Sequence, residues 1–248
     1  MKTHLIALTF VIPLLISGCS KESSDEISNA FPYEEEILMD IITPENIDDY
    51  EYPITIGSPG WDTLNQQERF EVMQIPDSIL KNMSTWGLVE TCFNYPPYGN
   101  FTVMPDFDSY INDLSFNGLK ELFLRTDFIK ILLYRYRYLN VKNFENLLKL
   151  NFIELIVGCD KHVSQLDQKQ SVFLTAVALD KANDQRNNLD ISTPFSVYIM
   201  GNTMLYANYK PFIDYCAQEK QYVYGGILQK FNSSEEKIEE YARNFIKL

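Results

Sequence analysis

Histidine is almost missing from this chain. Of 248 residues only His4 and His162 carry an imidazole, and cysteine is confined to Cys19, Cys92, Cys159 and Cys216. That supply excludes a transition-metal centre built on several His or Cys ligands, and no His-Glu-x-x-His, Cys-x-x-Cys or Gly-rich phosphate loop occurs. A Ser-His-Asp triad needs an exposed nucleophile as well, and the Gly-x-Ser-x-Gly elbow is absent. No metal and no other cofactor is expected. Basic charge is scarce too: 21 Lys and Arg face 34 Asp and Glu, a formal charge of −13. Nucleic-acid binding needs a cationic footprint that displaces counterions from phosphates, so that class of partner is excluded.

What is there begins with an address. Lys2 supplies a positive start, Leu5 to Ile16 is an apolar run, and Ser17 and Gly18 are small residues before Cys19. This is the zone order of a secretory signal. The apolar run is too short for a spanning helix, which needs about 20 residues, and Pro13 interrupts it. Ile16-Ser17-Gly18-Cys19 resembles the lipobox of bacterial lipoproteins, a cut site followed by a thiol that accepts a diacylglycerol. Residues 1–18 are therefore expected to be removed, with Cys19 acylated; several acyl chains anchor stably where one does not. Residues 19–30, rich in Ser, Asp and Glu, read as a flexible acidic tether. They also look like the short acidic export signals of Bacteroidetes lipoproteins, which implies an outer-membrane, surface-facing location. Removing residues 1–18 takes His4 and Lys2 with it. His162 is then the last imidazole, and 20 basic residues face 34 acidic ones, a charge of −14. Three thiols remain, Cys92, Cys159 and Cys216. One pair can bridge in an oxidising compartment, but burial as small hydrophobes suits an odd set better.

The expected fold is all-α, a packed helical bundle or an irregular array of helical hairpins, within a single domain over 31–248. Residues 31–61 read as an irregular or extended lead-in. It holds an acidic helix candidate from Glu34 to Ile42 and a possible short strand, Tyr52-Pro53-Ile54-Thr55-Ile56, among prolines and glycines. From residue 62 to 248 helical periodicity dominates. Asp62 or Thr63 is expected to cap a helix to about Met73, and Asp77-Ser78 and Ser84-Thr85 to open the next two. Ile129, Leu132, Leu133 and Tyr136 lie at i, i+3, i+4, i+7, as do Phe144, Leu147, Leu148 and their successors before Gly158, a candidate left-handed C-cap. Asp167 and Gln170 form a capping-box pattern ahead of Val172–Leu179, which is apolar nearly all round and so expected to be central. Thr193-Pro194, Pro211, and Ser233 with Glu236 open the last three helices.

The segment from Ile75-Pro76-Asp77-Ser78 through Met83-Ser84-Thr85 to Val89-Glu90-Thr91-Cys92 and Asn94-Tyr95-Pro96 resembles a stretch found in uncharacterised exported proteins and lipoproteins of the Bacteroidetes. The resemblance implies compartment and helical fold and brings no catalytic residue with it. Such sequences usually carry a Glu soon after the cap; here Trp86-Gly87 stand there, which is expected to weaken the helix start and expose the indole. Asp62-Thr63-Leu64 and Asp77-Ser78-Ile79 resemble the O-glycosylation sites of the same organisms, which makes Thr63 and Ser78 candidates, although both positions also suit helix starts.

The remaining chemistry is thin. Cys159 and His162, at i, i+3, form a conceivable nucleophilic pair just past a helix end, where a His also complements the helix dipole. Glu34-Glu35-Glu36 and Asp48-Asp49 read as solvated runs, and no carboxylate pair is singled out for catalysis. The aromatic groups are the better ligand-contact candidates: Lys130, Tyr134, Arg137 and Tyr138 opposite a core stripe, and Tyr95 with Tyr98 after a helix end. Tyrosine offers a flat apolar face and a hydroxyl, which suits protein or glycan. The expected function is a lipid-anchored binding or interaction module of the cell envelope, with a glycan hydrolase working through a carboxylate pair, or a structural envelope component, as alternatives. Replacing Cys19 by Ala (C19A) should move the protein from the membrane to the soluble fraction in a detergent-phase partition; unchanged retention would refute the lipid anchor.

Overall fold

Several helices in this chain begin where a side chain takes one of the first free N–H groups: Asn65, Ser84, Asn143 and Asp167 each do so. The computed structural model describes residues 31–95, 116–189, 194–218 and 235–248. The signal, tether and Tyr98 lie outside the described residues. In chain order the helices are α1 (Glu34–Leu38), α2 (Gln66–Val72), α3 (Asp77–Leu80), α4 (Thr85–Phe93), α5 (Asn117–Leu122), α6 (Phe128–Tyr138), α7 (Phe144–Val157), α8 (Asp160–Val163), α9 (Gln168–Leu189), α10 (Pro194–Tyr206), α11 (Lys210–Gln218) and α12 (Glu235–Phe245). No strand occurs among the described residues.

Two capping boxes set helix starts. Asp167 Oδ1 accepts from the Gln170 N–H at 2.8 Å and Gln170 returns the bond to the Asp167 N–H at 3.0 Å, as the sequence pattern predicts. The second lies two or three residues later than expected. Asn65, not Asp62 or Thr63, caps α2, exchanging bonds with Glu68, while Trp61–Thr63 forms a separate 3-10 turn. Asn accepts from the N3 amide as well as Asp does, and Glu68 completes the box; Thr63 has Gln66 at the same spacing, but its hydroxyl donates to the Gly60 carbonyl instead.

The core sits around α9 and α10, which pack on each other. The α10 helix also meets α7, α8, α11 and α12, while α6 packs on α4, α7 and α9. Val172, Phe173, Leu174, Val177 and Ala178 of α9 are fully enclosed, which places the all-round apolar stretch at the centre. Leu132 and Tyr136 on α6 and Phe152, Leu155 and Ile156 on α7 join the same core. Phe144 departs from its stripe and lies exposed at the first turn of α7, 70% accessible.

Three local expectations are corrected. Tyr52–Ile56 forms bends and a turn rather than a strand; Pro53 has no N–H to give a ladder. Gly158 is right-handed (φ −88), so it is not there for a left-handed cap. It is there for proximity: a Cβ would lie 2.7 Å from Ile199 Cγ1 and 2.8 Å from the Glu154 carbonyl. Trp86 is not exposed. It is 8% accessible and meets Tyr134 edge-on at 5.5 Å.

The start of α4 is held from outside its own helix. Ser84 accepts from the Gly87 N–H at 3.0 Å, and the Asp48 carboxylate of the lead-in accepts from the Ser84 N–H at 2.7 Å and from its hydroxyl. These bonds hold the Asp48 carboxyl below its usual range against the opposing pull of desolvation. Gly87 is what lets the lead-in come so near: a Cβ there would stand 2.6 Å from the Asp48 backbone oxygen. Gly87→Ala should therefore cost about 1–3 kcal/mol of stability by overpacking against main chain, read as a drop of roughly 2–8 °C in Tm.

Candidate functional site

An α-helix ends with carbonyls that have no partner in the helix. At the end of α6 those of Arg137 and Leu139 are taken by one ammonium, Lys181 Nζ of α9, at 3.1 and 2.9 Å. A cation at this place also complements the helix dipole. Asp180, the residue before Lys181, and Asp184, one turn after it, bring carboxylate oxygens to 3.8 and 3.9 Å from the same nitrogen. Burial outweighs attraction on both sides of this cluster. It pushes Asp180 up, against the pull of Lys181, and Lys181 down, against the pull of Asp180 and Asp184.

Around this junction lies an open cleft of about 430 Å³. Arg137 and Tyr138 border it from α6, Asn140 and Lys142 from the connection to α7, and Asp180, Asp184 and Asn188 from α9. Its lining is mostly polar, with carboxylates, amides and a guanidinium, and Tyr138 at its edge is 55% accessible. A phenol face beside amide and carboxylate groups can stack on an apolar ring face and hydrogen-bond hydroxyls at once.

Behind Lys181 is a buried carboxylate. Glu154 of α7 is 1% accessible; its Oε1 accepts from the Tyr136 hydroxyl at 2.8 Å and the Ser196 hydroxyl at 2.6 Å, while Oε2 has no hydrogen-bond partner. Gln185 Nε2 donates to Ser196 Oγ at 2.9 Å. Desolvation raises Glu154 to about 7, opposed by the Ser196 and Tyr136 bonds and by Lys181. The sequence carries a signal for it: Glu154 is the one charge in Phe152-Ile153-Glu154-Leu155-Ile156.

The sequence candidates fall into distinct places. Arg137 and Tyr138 border the cleft. Tyr134 lies between Trp86, met edge-on, and Tyr138, met at a tilt, and Lys130 lies on a second opening farther up α6. All four meet the lead-in, so Glu34 and Glu36 are not merely solvated: Glu34 pairs with Arg137 and Glu36 with Lys169. Tyr95 is a core residue, stacked on Phe116 at 3.9 Å between ring centres, and is not an exposed platform. Thr63 and Ser78 are both exposed. Thr63 Oγ1 donates to the Gly60 carbonyl at 2.7 Å.

Cys159 and His162 do come together, with Sγ 3.0 Å from Nδ1, and both are buried. The same Nδ1 lies 2.6 Å from the Ile156 carbonyl. A carbonyl only accepts, so Nδ1 carries the proton and offers the thiol no base. Cys92 and Cys216 are buried thiols as well, pushed up by burial and held away from the reactive thiolate. Among the described residues no group of three or more His, Cys, Asp or Glu is placed to hold a metal ion.

Because Glu154 is raised in the fold relative to the unfolded chain, its ionisation opposes folding. That cost is absent below about pH 4.5, grows as pH rises, and is complete above about pH 7. Glu154→Gln keeps an acceptor for Tyr136 and Ser196 without the charge. Its stability relative to the unmodified protein should improve by about 2–3 kcal/mol between pH 5 and pH 8 in paired denaturant melts, whereas a constant difference would show that Glu154 does not titrate there. Comparison with known proteins brings no protein-family model, no curated protein and no solved structure that matches this chain, so the cleft is read from its own chemistry.

Proposed function

We propose that this chain is a lipid-anchored protein of the cell envelope, held by acylated Cys19 at the outer membrane, whose helical body binds glycan or protein at the Tyr138 cleft. The address rests on the signal-and-lipobox order of residues 1–19. Among the described residues no helix is long and apolar enough to cross a membrane. The binding role rests on one observation: an exposed phenol and a guanidinium share a polar cleft with Asn140, Asn188, Asp180 and Asp184. Hydroxyl-rich or peptide ligands need donors and acceptors of this kind beside a ring they can stack on.

The hydrolase alternative draws on one feature of the same place, the raised Asp180 beside Asp184. A glycosidase sets its acid and its second carboxylate on opposite sides of the scissile bond. Here both carboxylates come from one helix and turn to one ammonium, which favours binding.

A glycan array and a peptide array probed with the soluble chain test both readings. Retention of a ligand by the unmodified protein, weakened about tenfold by Tyr138→Ala and by Asn188→Ala, is the expected outcome, about 1.4 kcal/mol for each contact. Equal retention by all three proteins would place the ligand elsewhere. Release of reducing ends from a bound glycan, abolished by Asp180→Asn with binding kept, would turn the assignment to hydrolysis.

A further inference from the structure

The outward face of α6 already has an occupant, and it comes from the same chain. The Glu34 carboxylate takes the Arg137 guanidinium at 3.2 Å and the Tyr138 hydroxyl at 2.7 Å. Glu36 takes the Lys169 ammonium on both oxygens at 2.7 Å, and Asp40 takes Lys130 at 3.4 Å. Thr43 donates to the Tyr134 hydroxyl at 3.0 Å, and the Phe31 ring lies 3.6 Å under the Arg137 guanidinium. Residues 31–43 thus run as an acidic strap along a cationic and aromatic face made by α6 and the first turn of α9.

The strap rests on a thin apolar underside, with Phe31, Ile37 and Ile41 partly buried around Leu38, and its outer pairs, Asp40 with Lys130 and Glu36 with Lys169, lie at the surface. Leu38 is the one buried residue of α1, a helix of five residues entered from Tyr33 in the left-handed region (φ 64) with no side-chain cap. The Asp40 side chain is 80% accessible, and Lys169 and Glu36 are about half exposed. Exposed pairs of this kind are weak and screened by salt. A helix so short does not persist by itself, and segments with few buried apolar contacts open first. The strap also leaves its seat partly unfilled: an opening of about 340 Å³ lies between Glu36 and Ile37 of the strap and Ile129, Lys130, Leu133 and Lys169 beneath. Its two ends differ. Past residue 43 the chain is locked by Asp48 on the α4 cap, by the Tyr50 N–H on Thr91 Oγ1 at 2.8 Å, and by buried Tyr52. Upstream, Phe31 follows directly on the tether sequence.

We propose that Phe31–Thr43 is a displaceable strap, and that the face beneath it receives an acidic, helix-forming peptide segment of a partner protein in the strap's place. The seat specifies the guest. Carboxylates in the places of Glu34, Glu36 and Asp40 meet Arg137, Lys169 and Lys130, and an apolar side chain larger than that of Ile37 enters the opening over Ile129 and Leu133. Displacement starting from the tether end frees Phe31 and Glu34 first, and with them Arg137 and Tyr138 of the cleft. That last consequence rests on the binding role proposed for the cleft; the strap and its guest do not.

Two measurements on the full chain test the strap without using any cleft ligand. In hydrogen exchange of the unmodified protein, the amides of α1 should exchange at least a hundredfold faster than those of Val172–Leu179, and faster still in 0.5 M than in 0.05 M NaCl. Exchange of α1 together with α9 would overturn the proposal. The probe for the guest is a labelled synthetic peptide of residues 31–43, followed by fluorescence anisotropy. It should bind the Glu34→Ala, Glu36→Ala, Asp40→Ala triple variant at least tenfold more tightly than the unmodified protein, whose own strap competes. Adding Arg137→Ala, or 0.5 M NaCl, should remove the binding. Equal binding to both proteins, no binding to either, or binding indifferent to salt would overturn the proposal. So would retention on phosphatidylglycerol vesicles without peptide binding, which assigns the face to lipid. The exchange measurement decides on the strap even where the triple variant does not fold.

Discussion

One buried oxygen ties together the helices that carry the site. Glu154 Oε1 of α7 accepts from Tyr136 of α6 and Ser196 of α10, and Gln185 of α9 reaches Ser196 in turn. Apolar packing alone lets helices slide and turn against one another at modest cost. A carboxylate shared by two hydroxyls in a dry interior does not, because a displaced donor or acceptor would be left without water. The junction is not held for stability alone: Oε2 has no hydrogen-bond partner and burial raises the group, so the fold carries a cost there. What it gains is a fixed register for α6 against α9. That register places the last carbonyls of α6 over Lys181, and so shapes the cleft.

The α6 helix is used on both sides. Its inner stripe, Leu132 and Tyr136, belongs to the core, whereas Lys130, Tyr134, Arg137 and Tyr138 carry cations and phenols outward. In a chain of strongly negative charge such a face is unusual, and the acidic lead-in neutralises it. The attachment is graded along the strap. Around Asp48 it is close-packed, with Gly87 admitting main chain against α4; from Phe31 to Thr43 ion pairs, two cation–π contacts and two phenol hydrogen bonds lie over a thin apolar underside centred on Leu38. The first kind resists salt and the second does not.

Charge in the cleft follows the same logic. Lys181 is nearly enclosed, yet it satisfies two carbonyls and stands beside two carboxylates. Such a lining offers many hydrogen-bonding directions at little reorganisation, and the binding role we propose draws on that. A hydrolytic site would instead hold an acid and a second carboxylate apart, with space for the scissile bond between them.

Periodicity and caps in the sequence by themselves determined the helical class, the central place of Val172–Leu179, the box at Asp167 and Gln170, and the outward direction of Lys130, Tyr134, Arg137 and Tyr138. These are local: they follow from 3.6-residue spacing and from acceptors three residues ahead of free N–H groups. The composition equally determined which chemistries lack their residues. Tertiary structure alone decided what meets what across the chain. It turned Glu34, Glu36 and Asp48 from solvated charges into partners of Arg137, Lys169 and the α4 cap, and it buried Trp86 and Tyr95. It also spent Gly87 and Gly158 on close approach rather than on turns. Their partners lie tens of residues away, at separations where no sequence spacing encodes a contact. Asp180, Lys181 and Asp184 became a cleft only because α6 ends above them.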